Sequence, residues 1–252
     1  MNKGFKWTIS LNLNVNKDKI LNYYGVNYNT GGVGIVGEKG KPVYSLYAYK
    51  WAGLNPQTGN PQGYVDGEKS EDYNTIMDEG MEVSSLQYKG SAIPVVFGNI
   101  GHSFSYKRLG LEFRFTYEAG HYFFRNSINY SNLFANGSGH ADFTDRWQYP
   151  GDEKHTDVPS LIYPGNASRD AFYNGSEILV EKGDNFRIQY INLNYSNKFP
   201  ISGQKKISFK IYLVANNLGI LWRANHHHLD PDYRNETIPP SKTYSLGLQI
   251  TL

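Results

Sequence analysis

The stretch FKWTISLNLNV, from Phe5 to Val15, alternates strictly between apolar and polar side chains over eleven positions. Every odd-numbered residue is apolar, and every even-numbered residue is Lys, Thr, Ser or Asn. Successive side chains of a β-strand point to opposite faces, so this pattern gives one apolar face and one polar face, whereas a helix would scatter both types around its circumference. The apolar face begins with Phe5 and Trp7 and continues with aliphatic residues.

The length of this alternation favours a membrane strand over a soluble one. Strands of soluble proteins usually run ~5–6 residues. A transmembrane β-strand needs ~10 residues, with aromatic side chains near the membrane interface and polar side chains toward the interior. The stretch therefore indicates a lipid-facing strand of a β-barrel, and a long strand of a soluble sandwich remains the alternative.

Six further segments read as strands. The last of them alternates as clearly as the first, with Tyr244, Leu246, Leu248 and Ile250 on one face. We therefore predict an all-β fold, an antiparallel transmembrane β-barrel segment of about seven long strands. The six segments are residues 43–52, 104–117, 121–131, 184–198, 205–216 and 243–252.

Two features inside these strands carry structural expectations. The alternation of residues 184–198 changes phase near Tyr190, and a one-residue slip moves side chains to the other face, so we expect a β-bulge there. In residues 104–117, Arg108, Glu112 and Arg114 fall opposite the apolar residues. We expect these three side chains to face a water-filled lumen, or to pair with one another, because buried unpaired charge is costly.

The predicted connections differ in length at the two ends of the strands. Short turns are predicted at residues 118–120 and 199–204, whereas residues 53–101, 132–183 and 218–240 form long loops. Short periplasmic turns and long extracellular loops are typical of outer-membrane barrels. An odd number of antiparallel strands does not close on itself, so we expect residues 1–252 to be part of a larger barrel whose earlier strands are missing.

The composition fits this class and excludes others. The chain has 252 residues, 39% of them hydrophobic, with 21 Tyr, 13 Phe, 26 Gly and no Cys, and its mean hydropathy is −0.55. Lumen-facing polar residues lower the hydropathy of a barrel, and no apolar run approaches the ~18 residues of a transmembrane helix. A net charge of +2 does not indicate a nucleic-acid partner. The first residues lack a signal peptide, so we expect a mature product, an engineered segment or a piece of a longer protein.

No pattern in the sequence indicates catalysis, a cofactor or a metal. Residues 32–37 match a dinucleotide fingerprint in letters only, without the flanking strand and helix. The consecutive residues His226, His227 and His228 rarely converge on one ion. Asp152 and Glu153 are neighbours in a loop and do not face each other across a bond, as a glycosidase requires. We therefore expect no enzyme activity, no cofactor and no bound metal.

Aromatic residues in the predicted outer loops are candidates for contact with a substrate or a partner protein. Trp and Tyr side chains stack on sugars and are enriched at interfaces, although they also pack wherever a loop folds on itself. The candidates are Trp147, Tyr149, Trp222 and Tyr233.

Short motifs in a fixed order along the chain resemble a known family. They are Phe5-Lys6-Trp7, Asn16-Lys17-Asp18-Lys19-Ile20, Tyr47-Ala48-Tyr49-Lys50-Trp51-Ala52-Gly53-Leu54-Asn55-Pro56 with Gly59-Asn60-Pro61, Pro94 with Phe97-Gly98, Arg146-Trp147-Gln148-Tyr149-Pro150-Gly151-Asp152, Asn185-Phe186-Arg187-Ile188 with Leu193-Asn194-Tyr195, and Asp230-Pro231-Asp232-Tyr233. This ordered set resembles the C-terminal portion of the SusC/RagA-type TonB-dependent transporters of Bacteroidetes. The chain departs from the family in ending with Leu252 rather than an aromatic residue, and in having Gly98-Asn99 where the family has Gly-Gly.

The resemblance implies a location and a set of partners. Members of the family are plugged outer-membrane barrels of about 22 strands. They import oligosaccharides or peptides, work with a SusD-like surface lipoprotein, and draw energy from the TonB complex through an N-terminal part that this chain lacks. By resemblance, this chain would be a multi-pass barrel segment in the cell outer membrane. The alternatives are a self-contained small outer-membrane barrel, acting as a pore or a surface enzyme, and a soluble glycan-binding β-domain.

Overall fold

The structure is a computed structural model that describes residues 4–24, 33–79, 82–200, 206–233 and 238–251. Two compact units divide the chain. Unit 1 comprises Met1–Asn16, Pro94–Ala119 and Gly183–Leu252, and unit 2 comprises Lys17–Ile93 and Gly120–Lys182. Each unit is therefore built from segments that are distant in sequence.

Fourteen strands and three short α-helices are present in the described residues. The helices are α1 (Tyr73–Glu79), α2 (Tyr130–Asn136) and α3 (Ala167–Asn174). The strands are β1 (Phe5–Val15), β2 (Gly34–Ile35), β3 (Ser45–Ala48), β4 (Gly53–Leu54), β5 (Pro61–Val65), β6 (Glu68–Ser70), β7 (Gln87–Ser91), β8 (Val96–Tyr106), β9 (Leu109–Ala119), β10 (Tyr122–Phe124), β11 (Val180–Lys182), β12 (Asn185–Pro200), β13 (Lys206–Arg223) and β14 (Thr243–Thr251).

Unit 1 is one antiparallel sheet of six strands in the order β1-β8-β9-β12-β13-β14. The predicted strand Phe5–Val15 is present at its full length and pairs with β8 along all eleven residues. Strands β1 and β14 form the two edges, so the sheet is open within the described part of the chain. The structure thus confirms a mostly antiparallel β-fold, but it does not confirm a count of seven barrel strands.

The phase slip near Tyr190 is a β-bulge. The register of β12 against both β9 and β13 shifts between Ile188 and Tyr190. Before the shift Ile188 pairs with Phe115, and after it Ile191 pairs with Phe113. The extra residue therefore keeps Ile188 and Ile191 on the same apolar face although they are three positions apart, which explains the two phases read in the sequence.

The sheet of unit 1 has one apolar face that stays exposed. Along β1, all six apolar side chains are more than half exposed, and in β14 Leu246 is 77% exposed. The rings of Trp7, Phe104, Phe113, Phe115 and Phe186 continue this face across four strands, with Phe115 and Phe186 stacked at 5.1 Å. Polar residues occupy the opposite face, so the sheet separates the two chemistries completely in β1.

The structure corrects two predictions about how the strands of unit 1 are connected. The segment 104–117 is not one strand, because β8 and β9 form a hairpin that turns at Lys107 and Arg108. Lys107 takes a positive φ of 54°, as a tight hairpin turn requires. Residues 118–120 are not a turn within the sheet, since β9 ends at Ala119 and the chain passes into unit 2.

Two predicted barrel strands belong instead to unit 2. Residues 43–52 contain a single four-residue strand, β3, which pairs with β2 and β7. Residues 121–131 contain a single three-residue strand, β10, which pairs with β11, and the beginning of α2. The prediction was wrong there because both segments are rich in aromatic residues that pack a small buried core rather than a two-faced sheet. Their side chains Leu46, Tyr47, Ala48 and Phe123 are all buried.

The long connections all lie at one end of the six-stranded sheet. Val15 pairs with Val96, and Glu118 pairs with Asn185, at the end where the chain enters and leaves unit 2. The turn at Lys107 and Arg108 lies at the other end, where β12 ends at Pro200 and β13 begins at Lys206. The sheet therefore has short turns at one end and long connections at the other, as predicted. One short turn joins β8 to β9, however, and not the two strands that were expected.

Unit 2 packs two aromatic clusters against α3. Asn166 caps this helix by accepting a hydrogen bond from the backbone N–H of Arg169, as N-cap residues do. Phe172 contacts Tyr49, Trp51 and Tyr73, while its neighbour Tyr173 belongs to a second cluster with Ile128 and Tyr130. Among the described residues, no helix is both long enough and apolar enough to cross a bilayer.

Candidate functional site: the polar face and the outer connections

The polar face of unit 1 carries two of the predicted lumen-facing residues. Alternation along β9 places Glu112 and Arg114 on this face, and the register brings Tyr190 of β12 opposite Arg114. The Tyr190 hydroxyl donates a short hydrogen bond to Glu112. The guanidinium of Arg114 lies over the Tyr190 ring, 5.4 Å from its centre. The structure thus brings Glu112 and Arg114 together through one tyrosine.

The third predicted residue of this group, Arg108, lies elsewhere. It is an exposed residue of the β8–β9 turn, and its backbone oxygen accepts a hydrogen bond from the Ser196 backbone at 2.9 Å. The sequence placed Arg108 inside a strand because its turn contains no glycine or proline to mark it. It is therefore at the end of the sheet, not beside Glu112 and Arg114.

An ion-pair cluster fixes the connection between β13 and β14 to the polar face. Arg187 of β12 donates to both carboxylate oxygens of Asp230, at 2.7 and 3.2 Å, and its second pairing, with Asp232, is 2.8 Å long. A bidentate pair of this kind fixes geometry as well as charge. Sequence reasoning quoted Arg187 and the Asp230-Pro231-Asp232 motif as family signatures but did not pair them. A single sequence contains no pattern that would pair Arg187 with Asp230, which lies 43 positions further along the chain.

The candidate contact residues Trp222 and Tyr233 lie at this end of unit 1. Trp222 was placed in a loop, but it belongs to β13, where it pairs with Phe186 and is 57% exposed on the apolar face. Tyr233 follows Asp232 in a 3-10 helix and is half-buried. Trp222 thus lies on the apolar face near the end of β13, and Tyr233 is the one of the two that lies in the connection.

Trp147 and Tyr149 of unit 2 differ sharply in exposure. Trp147 is only 8% exposed and covers Gly59, where a side chain would come within 2.4 Å of the indole ring. Tyr149 is 71% exposed. Trp147 therefore packs inside unit 2, whereas Tyr149 is exposed and stays a candidate for contact.

The carboxylates of Asp152 and Glu153 accept hydrogen bonds from the backbone of the loop that contains Trp147 and Tyr149. The Asp152 carboxylate accepts hydrogen bonds from the backbone N–H groups of Gln148 and Tyr149, both at 2.9 Å, and these bonds lower its pKa. Glu153 accepts from the Gly151 backbone at 2.7 Å. Both carboxylates therefore stabilise a turn rather than face a common substrate.

Two buried arginines stabilise unit 2 from within. Arg169 donates to Asn60, at 2.9 Å, and to the Ser160 backbone oxygen, at 2.8 Å, and lies over the Tyr130 ring. Burial raises the pKa of Tyr130 to about 12. Arg125 pairs with Asp142 at 2.5 Å. Arg125 is thus paired with a carboxylate, and Arg169 is held by neutral acceptors, so both side chains have structural contacts inside unit 2.

The three consecutive histidines follow β13 in a turn. His228 has a positive φ of 57°, and its backbone oxygen accepts a short hydrogen bond from Arg223. In the parts of the chain that the structure describes, no three His, Cys, Asp or Glu side chains are grouped to hold a metal ion.

Comparison with known proteins gives relatives along almost the whole chain. No family model matches it. The TonB-dependent receptor P26 of Formosa agariphila is 24% identical and aligns with 98% of this chain, which spans 27% of that receptor. The relative is thus nearly four times as long as the chain.

Solved structures give the same result. The structure of the RagAB peptide transporter matches 99% of this chain with a TM-score of 0.71 and 25% identity, and the chain covers 27% of it. The closed-closed state of the RagAB peptide importer matches equally well, with a TM-score of 0.71 and 25% identity over 99% of this chain and 28% of that one. The open-open state, at 23% identity and a TM-score of 0.68, supports the fold alone. The resemblance read from the motifs is therefore confirmed: over nearly its whole length, this chain resembles the C-terminal part of a SusC/RagA-type TonB-dependent transporter.

Proposed function

We propose that this chain forms part of the barrel wall of a TonB-dependent importer in the outer membrane. In this proposal the strands of unit 1 cross the bilayer, their polar face lines the interior, and the long connections face outward. The importer takes up oligosaccharides or peptides together with a SusD-like surface lipoprotein, and it is energised by the TonB complex through the part of the polypeptide that bears the plug. We propose no catalytic role.

One observation carries this proposal: the exposed apolar face of the six-stranded sheet. Soluble monomers rarely expose contiguous apolar patches of more than a few hundred Å². Here apolar side chains cover one face of six adjacent strands, and five of these strands are eleven residues or longer. A soluble sandwich would turn this face inward against a second sheet. Lipid is the environment in which such a face is stable.

The names of the relatives support the transport role and favour one class of cargo. The curated relative is named a receptor of the TonB-dependent class, and the solved relatives are named peptide transporters or importers. We therefore place peptides first and oligosaccharides second as cargo. The partners follow from the same relationship and are part of the proposal.

Fractionation of the source organism tests the proposal. An antibody against residues 238–251 is used to probe outer-membrane, inner-membrane and soluble fractions, and the uptake of labelled peptides is compared in strains with and without the gene. We expect the protein in the outer membrane, and lower uptake in its absence. Recovery of the protein in the soluble fraction would contradict the membrane assignment, and unchanged uptake of peptides and oligosaccharides would contradict the import role.

A further inference from the structure

A cavity lies on the apolar face of unit 1, at the end where β8 turns into β9. It has a volume of about 590 Å³ and is lined by Tyr106, Lys107, Arg108, Leu109 and Tyr195. Tyr106 pairs with Phe5 of the apolar face and with Leu109, which in turn pairs with Tyr195. Paired residues of neighbouring strands point to the same face of a sheet. The floor of the cavity is therefore aromatic and aliphatic, and the turn adds two cations to it.

Lys107 and Arg108 have no counter-charge in the described part of the chain. Both residues are exposed, and no ion pair there includes either of them. The Lys107 ammonium lies over the Tyr106 ring, 5.2 Å from its centre, a contact that leaves its charge in place. The surrounding strand ends, residues 4–6, 106–109 and 195–200, contain no Asp or Glu. The two charges are therefore available to an anion from outside the chain.

The opposite end of the same sheet differs, because carboxylates of the chain lie beside its basic residues. Arg187 pairs there with Asp230 and Asp232, at 2.7 and 2.8 Å. The chain thus balances an arginine where a long connection folds back on the sheet, and it leaves the two basic residues of the short turn unbalanced.

Aromatic rings mark the level of the cavity along the strands. Tyr195 contacts Phe209 with ring centres 5.9 Å apart, and Phe209 stacks on Phe199 at 5.4 Å. On the other side of the cavity, Phe5 contacts Phe104 at 6.3 Å. Aromatic side chains collect where a membrane meets water, and Lys and Arg extend their charged ends to the same level. In the proposed membrane placement, the cavity therefore lies at the depth of lipid headgroups.

We propose that this cavity binds the headgroup of an anionic phospholipid. The phosphate oxygens accept hydrogen bonds from Lys107 and Arg108, and the acyl chains cover Tyr106 and Leu109, which are 51% and 52% exposed. A free anion leaves this apolar floor uncovered, and a zwitterionic lipid brings its own cation close to the two basic residues. The inference rests on the proposed function in one respect, the contact of the apolar face with lipid.

Photo-crosslinking in bilayers tests this site. The intact protein is purified from outer membranes and reconstituted into phosphatidylcholine vesicles with a small fraction of a probe lipid. The two probes are phosphatidylglycerol and phosphatidylcholine, each with a diazirine near the start of one acyl chain, and mass spectrometry locates the label. We expect residues 104–111 to be labelled at least about fivefold more by the anionic probe, the factor that one basic residue contributes near a membrane. Residues 243–248, at the far end of β14, should be labelled equally by both probes.

Variants separate the site from a general attraction to the membrane. Lys107→Gln combined with Arg108→Gln should remove the preference for the anionic probe at residues 104–111. Lys198→Gln is the matched control, because it removes a cation from the same end of the sheet but from the polar face, and it should leave the preference unchanged. An excess of inorganic phosphate should also leave it unchanged, since phosphate cannot cover the apolar floor.

Three results would overturn the proposal. The first is equal labelling of residues 104–111 by the two probes in the unaltered protein, which needs no variant to fold. The second is an unchanged preference in the folded double variant. The third is loss of the preference with inorganic phosphate, which would mean that the turn binds a free anion. In all three cases the apolar face is still labelled by lipid, so the membrane placement stands. Failure of both probes to label any part of that face would contradict the placement itself.

Discussion

At the scale of single residues, Gly98 allows a side chain to pass between two strands of unit 1. Gly98 of β8 lies beneath Tyr117, whose hydroxyl crosses it to donate to the Asn12 backbone oxygen at 2.9 Å. A side-chain carbon at Gly98 would come within 1.9 Å of that oxygen. The position therefore requires a residue without a side chain, and Gly98 lets one tyrosine join β9 to β1 across β8.

Gly98→Ala should destabilise unit 1. Overpacking of a site that cannot relax costs ~1–3 kcal/mol, and here the obstacle is backbone. Gly101→Ala is the matched control, because its nearest contact is the Ser10 hydroxyl, which can rotate away. Urea unfolding in detergent should show a clearly larger loss for Gly98→Ala than for Gly101→Ala. Equal losses would mean that the Tyr117 contact is not formed.

Asp142 makes the stability of unit 2 depend on pH. Burial acts to raise its pKa, but hydrogen bonds from Ser127 and Arg125 outweigh burial, so the pKa lies below its ordinary value. A carboxylate whose pKa is lowered by folding contributes stability above its unfolded pKa of ~3.9, and this contribution is lost as the pH falls through the folded value. Unit 2 should therefore weaken below about pH 4.

Asp142→Asn should remove this part of the acid sensitivity while lowering stability at neutral pH. The measurement is limited proteolysis of unit 2 between pH 7 and pH 3, with Asp66→Asn, in an exposed turn, as the control. We expect the acid-induced increase in cleavage to shrink in Asp142→Asn only. The same pH profile in both variants would show that other groups control it.

At the scale of elements, the sequence predicted best where alternation alone decides the structure. Strands β1 and β14 lie at the positions predicted from Phe5–Val15 and residues 243–252, and the bulge near Tyr190 was visible as a change of phase. The β8–β9 hairpin was missed because Tyr106-Lys107-Arg108-Leu109 carries no turn residue. The only trace was a shift of apolar residues from even positions, ending at Tyr106, to odd ones from Leu109.

The candidate site was predictable only in part, for a related reason. Glu112 and Arg114 followed from the period of one strand. The roles of Arg187 and Trp147 did not, because their partners Asp230 and Gly59 lie 43 and 88 positions away and only folding brings them together. The many aromatic residues in 43–52 and 121–131 likewise suggested barrel strands. In the structure these side chains pack in the buried core of unit 2 instead of lining one face of a long strand.

The connection between β13 and β14 should depend on Arg187. Asn225 brackets Leu229 with two hydrogen bonds, at 2.9 and 3.1 Å, and Arg187 then ties Asp230 to the sheet. Arg187→Gln removes the charge and the bidentate geometry, so the connection should open. Protease cleavage within residues 224–233 should rise several-fold in Arg187→Gln, and also in Asp230→Asn. Lys198→Gln, at the other end of β12, should leave cleavage unchanged. An equal rise in cleavage in this control would show that the Arg187–Asp230 ion pair does not hold the connection.

At the scale of the whole molecule, the two units differ in how they place their apolar side chains. Unit 1 separates apolar from polar side chains across a sheet, which suits a boundary between lipid and water. Unit 2 buries aromatic clusters and hydrogen-bonded arginines in a packed core. The chain leaves the sheet for unit 2 twice, after Val15 and after Ala119, and at the same end of the strands.

The most direct test of the membrane-wall account is a spin-label scan along β12 in bilayer-reconstituted protein. The chain contains no Cys, so each introduced cysteine is unique. We expect Ile188→Cys, Ile191→Cys and Leu193→Cys to be accessible to oxygen dissolved in lipid, and Tyr190→Cys and Ser196→Cys to a water-soluble nickel complex. The bulge predicts that positions 188 and 191 share the lipid face, whereas a regular strand would separate them. Equal access of the nickel complex to all five positions would contradict a lipid-facing sheet.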